Sequence, residues 1–155
     1  MRDWSVDIAA NIQLPKPVIE VEPRPSANKW NITAVGQPLW FHNPGVGHRR
    51  ASNSSHGIVV SLDAHRVKTI YDTGEKVIRC THSTPRPASA DPRAESPDCG
   101  YVYQHPGEYT LGMTEVWTVG WRAGDQSGEI VTTRSASKPF KVNELVGLLT
   151  KPGQQ

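Results

Sequence analysis

The sequence predicts an antiparallel β-sandwich, and three observations carry that prediction. The 155 residues hold 15 Val, 8 Ile and 11 Thr against 7 Leu, a balance that suits pleated strands better than long helices. Gly and Pro number 13 each, enough to punctuate the chain with turns. Residues 109–121 place Tyr109, Leu111, Met113, Glu115, Trp117, Val119 and Trp121 at alternate positions, with mostly Thr and Gly between them. A period of two held over that length marks a long strand.

The elements follow in order. Residues 1–15 have weak periodicity and read as an N-terminal extension carrying Trp4, Val6, Ile8 and Ile12. Residues 17–23 form a short β-like run fenced by prolines, which belongs at a sheet edge because proline cannot donate to a ladder. An apolar stretch follows up to Trp40 and Phe41, then a loop over 42–56 whose Gly, Ser, Asn and Arg content predicts a solvated, mobile segment. Strands are expected at 58–62, 67–71 and 76–80, with a turn at 72–75. Residues 81–98 carry four prolines and read as a long loop. In the strand over 109–121, Glu115 beside Val116 predicts a bulge. A hairpin loop at 122–128, a return at 129–134 and a closing strand at 140–149 complete about seven strands. The chain divides into an arm (1–15), a sandwich (16–150) and a short tail (151–155).

Several function classes are excluded. Seventeen Lys and Arg balance 15 Asp and Glu to a net charge of +2, with no basic stripe, so nucleic acid is not an expected partner. No apolar run reaches the ~18 residues of a membrane span, leaving a peripheral membrane role at most. The first residues also lack the apolar stretch of a secretory leader, so a cytosolic chain or a mature piece is expected. No Gly-x-Ser-x-Gly elbow and no His-Glu-x-x-His pattern is present, so no catalytic residue, cofactor or metal is predicted. Asp63, Asp72, Glu75 and Asp98 read as solvated charges, because no Asp-x-Asp-x-Asp-Gly loop frames them. Trp40, Trp117 and Trp121 are expected to fill the core, while Trp4, Ile8 and Trp30 lie outside the regular strands and are candidates for a partner surface.

The most specific local signal is Tyr101-Val102-Tyr103 followed by Pro106-Gly107-Glu108-Tyr109. It reads as a strand end, a tight turn and a long strand opened by an aromatic, with a tyrosine placed to send its hydroxyl to a backbone group. The segment resembles the second signature of polycystic-kidney-disease (PKD) domains, with Tyr101 in place of a His and Tyr103, Gly107, Tyr109 and Leu111 at matching spacing. The first PKD signature has a worn counterpart in Tyr71-Asp72-Thr73-Gly74-Glu75-Lys76. Pro38-Leu39-Trp40-Phe41 and Trp117-Thr118-Val119-Gly120-Trp121 are similar to segments of an actinobacterial branch of that family, which also has paired cysteines around a Pro-rich insert.

The resemblance implies an Ig-like sandwich acting as a non-enzymatic module of a secreted or cell-envelope protein, with a neighbouring protein or a cell-wall glycan as its partner. An accessory subunit of a larger envelope assembly, docking through its arm, is the alternative, and a Cys/His metal-dependent enzyme is a third. Cys80 and Cys99 flank the Pro-rich loop, where a disulfide would close about 20 residues and restrict the unfolded chain. Free thiols, or a zinc site with His82 and His105, are the other readings of the pair.

Overall fold

The computed structural model describes residues 14–55 and 57–144, and they form a two-sheet antiparallel β-sandwich. The strands are β1 (Glu20–Glu22), β2 (Pro38–His42), β3 (His48–Ser55), β4 (Ile58–Asp72), β5 (Val77–Cys80), β6 (Gly100–Val102), β7 (Gly107–Ala123) and β8 (Gln126–Val142). The small sheet has the order β1-β2-β6. The large sheet runs β3-β4-β7-β8, with β5 pairing β4. Strand β4 is bordered by β7 along one side, so β3 and β5 share its other side, one beyond the other.

Two buried clusters lie along the same long strands. The first joins Val21, Leu39 and Phe41 of the small sheet to Tyr71, Leu111, Met113, Phe140 and Val142 of the large one. The second joins Val60, Leu62 and Ala64 of β4 to Trp117, Val119 and Ala123 of β7, together with Leu14. Phe41 and Trp117 are fully buried, and each such side chain contributes about 2–3 kcal/mol of transfer free energy. Leu14, within the stretch read as an arm, is 6% exposed and belongs to this second cluster. Trp4, Ile8 and the tail at 151–155 lie outside the described residues.

The bulge falls on a different strand from the one expected. Register slips in β4 between Arg66 and Lys68, while β7 alternates without interruption from Leu111 to Val119. The extra residue, Val67, is 45% exposed. Before it the even positions 60, 62 and 64 are buried, and after it the odd positions 69 and 71 are. One inserted residue thus keeps a single face of a 15-residue strand on the core. Strands expected separately at 58–62 and 67–71 are therefore one strand, as are 129–134 and the start of the closing strand.

The polar stretch 48–55, read as loop, is the strand β3. It pairs with β4 from His48↔His65 to Ser55↔Ile58. An outer hairpin with little buried surface has no apolar alternation to betray it. The hairpin loop expected at 122–128 is only Gly124 and Asp125, with Gly124 at φ +63, the first central position that needs glycine in tight hairpins.

Candidate functional site

Residues of both resembling signatures meet at one end of the sandwich. The turn after β4 is held by Thr73, whose hydroxyl donates to the Lys76 carbonyl at 2.8 Å, and by Asp72, which accepts from the Gly74 amide at 3.0 Å. Gly74 sits at φ +91 beneath the ring of Tyr109, so close that a Cβ would lie 2.6 Å from a ring carbon. Tyr103 is buried and donates its hydroxyl to the Thr73 carbonyl at 2.7 Å. Gly107 opens β7. The three tyrosine rings pack at 5.1 Å (Tyr101–Tyr103) and 4.8 Å (Tyr103–Tyr109).

Glu75 ties this end together. Its Oε1 accepts from the Tyr101 hydroxyl at 2.7 Å and the Gln104 amide at 2.9 Å. Its Oε2 accepts from the His105 amide and the Tyr109 hydroxyl, both at 2.9 Å, with His105 Nδ1 at 3.2 Å. Desolvation raises the Glu75 pKa, but the hydrogen bonds from Gln104, Tyr101, Tyr109 and His105 outweigh it and bring the value down to about 2. Burial, then the bond to Glu75, pushes the Tyr101 hydroxyl up to about 12. Both Glu75 oxygens are saturated by donors from within the protein, which is the signature of a structural brace.

The cysteines are joined to each other, with sulfurs 2.00 Å and Cα atoms 5.6 Å apart. Their pairing removes the thiolates that a Cys/His zinc site would need. Cys80 ends β5 of the large sheet and Cys99 precedes β6 of the small one, so the bond crosses between the sheets. The Pro-rich loop it closes covers the small sheet: the Trp40 indole donates to the Ala94 carbonyl at 2.9 Å. Asp98 accepts from the Thr84 hydroxyl and amide, bonds that hold its carboxyl below the usual range against the opposing effect of desolvation.

Between the two clusters lies a buried polar knot. Glu115 is 2% exposed and accepts from Asn43 Nδ2 at 2.7 Å and Trp117 Nε1 at 3.1 Å, with Arg66 Nη1 at 3.4 Å. The same Arg66 head donates to the Gly45 carbonyl, anchoring the segment that leads into β3. Nearby, the buried Tyr71 hydroxyl has no hydrogen-bond partner among the described residues and lines a small polar cavity of about 220 Å³ with Asn43, Lys68, His82 and Ser83. Such a setting has room for water to serve it.

The outer face of the large sheet carries the remaining chemistry. Asp63 Oδ1 lies 2.5 Å from His48 Nε2, 3.4 Å from His65 Nε2 and 3.8 Å from Arg50 Nε. The bond from His48, the largest influence, holds the Asp63 carboxyl below its ordinary value. Beside these groups runs an open trough of about 800 Å³, lined by Arg50, Ser52, Ser61, Asp63, Gly120 and Arg122. Gly120 leaves its floor free of side chain, since a Cβ there would meet nothing closer than the Asp63 carbonyl at 3.7 Å.

The four carboxylates considered together from the sequence are thus dispersed: Asp63 joins histidines, Glu75 tyrosines, Asp72 a turn and Asp98 the Pro-rich loop. Trp117 is fully buried, whereas Trp121 is partly buried and lies over Gly128, where a Cβ would fall 2.8 Å from the indole. Trp30 is half-buried with the Lys29 ammonium 4.9 Å from its ring centre. The composition of residues 42–56 predicts a loop, and a loop gives no reason to place His48 beside Asp63 and His65. Asp63-Ala64-His65 does place two ligating groups on one strand face, and pairing across the hairpin supplies the third. Among the described residues, no helix is long and apolar enough to cross a membrane. No family model, curated protein or solved structure matches the chain.

Proposed function

We propose that the chain is a non-catalytic, extracytoplasmic binding module of the PKD-like, Ig-like kind that its motifs resemble, serving a secreted or cell-envelope protein. The convergence of Tyr71–Lys76 and Tyr101–Leu111 residues on one braced corner supports that kinship, and the cross-sheet disulfide fits an oxidising compartment. The observation that carries the binding role is the trough on the outer face. Arg50 and Arg122 alternate there with Asp63, Ser52 and Ser61 on a rigid sheet, giving donors and acceptors in fixed positions. That chemistry suits a hydroxyl-rich, carboxylate-bearing cell-wall glycan, which is our choice of ligand over a neighbouring protein.

A glycan array and a pull-down from envelope extracts test the reading, using wild type and Gly120→Gln. Its Cβ would meet only the Asp63 carbonyl, at an ordinary 3.7 Å, and the rest of the side chain extends over the outer face into the trough. Glycan binding that is lost in Gly120→Gln at unchanged melting temperature supports the proposal. Binding that is indifferent to Gly120→Gln, or capture of proteins alone, overturns it.

A further inference from the structure

We propose that His48, Asp63 and His65 form a binding site for one divalent transition-metal ion of the imidazole-preferring class, Zn²⁺ being the reference case. The three side chains each offer one ligand atom, and those atoms lie within 4.8 Å of one another. Their placement follows from the backbone. His48 and His65 are directly paired across β3 and β4, and Asp63 lies two residues from His65 on the same face. The two rings stack with centroids 4.3 Å apart and an interplanar angle of 7°.

The distances suit an ion. Around a tetrahedral Zn²⁺ with ligands at about 2.0–2.1 Å, ligand atoms sit roughly 3.3 Å apart. The His65 Nε2–Asp63 Oδ1 separation is already 3.4 Å. His48 Nε2, hydrogen-bonded to the same oxygen at 2.5 Å, must swing out by about 0.8 Å to reach that spacing. Side-chain exposures of 41%, 47% and 58% for His48, Asp63 and His65 leave it room to do so. In binding, the ion takes the place of the hydrogen bond between His48 and Asp63, with His48 coordinating through Nε2 as the neutral imidazole that carries its proton on Nδ1. Three protein ligands leave a further position open to solvent beside the trough, an arrangement that accepts an exogenous oxygen ligand. Two imidazoles and one carboxylate favour Cu²⁺, Ni²⁺ and Zn²⁺ over Mg²⁺ and Ca²⁺. Arg50 opposes the ion, with Nε 3.8 Å from Asp63 Oδ1, but its side chain is 76% exposed and can turn away.

The proposal does not depend on a glycan in the trough, because the test reads metal alone. Tag-free protein is titrated with Zn²⁺ by calorimetry and with Co²⁺ by visible absorption. One equivalent should bind. His48→Ala, Asp63→Asn and His65→Gln should each weaken binding at least about tenfold at unchanged melting temperature. Arg50→Ala should tighten it, while His82→Ala and His105→Ala should leave it alone. Failure to bind Zn²⁺ or Co²⁺, equal affinity in wild type and His48→Ala, or equal affinity for Mg²⁺ would each overturn the assignment.

Discussion

Replacing Glu75 with Gln should destabilise the protein in a way that vanishes in acid. The wild-type carboxylate accepts hydrogen bonds on both oxygens from Tyr101, Gln104, His105 and Tyr109. An amide keeps one acceptor and turns an NH₂ toward either the Tyr101–Gln104 pair or the His105–Tyr109 pair, stranding donors. The depression of the Glu75 pKa from 4.5 to about 2 corresponds to about 3 kcal/mol. Since the side chain is 12% exposed and partly screened, an effect of about 2–3 kcal/mol at pH 7 is expected. The folded-state value lies below the unfolded one, so this stability is fully present above pH ~4.5 and lost as pH falls toward ~2. Guanidinium unfolding of both proteins at pH 7, 4.5, 3 and 2 measures it. The two curves should separate at neutral pH and approach each other near pH 2. A difference below about 0.5 kcal/mol at pH 7, or one that stays constant down to pH 2, would refute the brace.

Glu115→Ala should cost about 3–5 kcal/mol in urea melts, because Arg66 and Asn43 lose a buried partner, and a cost under 1 kcal/mol would contradict that account. Gly74→Ala should lower stability by at least about 1 kcal/mol, from its positive φ and the collision with Tyr109; measured in a Tyr109→Ala background, the cost of Gly74→Ala should shrink to the backbone part alone. Reducing the disulfide, or the double Ser variant, should cost about 3 kcal/mol and speed amide exchange mainly within residues 81–98. Equal exchange in that loop with and without the bond would argue against its role as a staple.

Much of the sandwich is legible in the sequence because its core strands are buried on alternate positions. Leu111, Met113, Trp117 and Val119 announce β7, and the same pattern places Glu115 inward among them. What the alternation cannot show is how that charge is satisfied. Asn43 and Arg66 are distant in sequence and reach Glu115 only after β2, β4 and β7 assemble. Strand β3 is illegible for the opposite reason: with polar residues at nearly every position, its pairing with β4 is set by the hairpin rather than by burial. The metal-ligating trio shares that fate, since His48 has no partner until the register is known. The tyrosine-rich corner is visible as a turn motif, yet the role of Glu75 at its centre depends on two chain segments meeting.

The two buried clusters both draw their walls from the long strands β4 and β7, and this sets where the chain can be cut or lengthened. A break in the middle of β4 or β7 severs a strand that serves both clusters, so neither half can be excised as a smaller module. Room for added sequence exists instead at the points where strands reverse: the Gly57 tip, the Gly124–Asp125 turn and the disulfide-closed loop of residues 81–98. The last of these is anchored at both ends, through Cys80 and Cys99. Variation in its length therefore changes the cover over Trp40 while the paired sheets beneath keep their register.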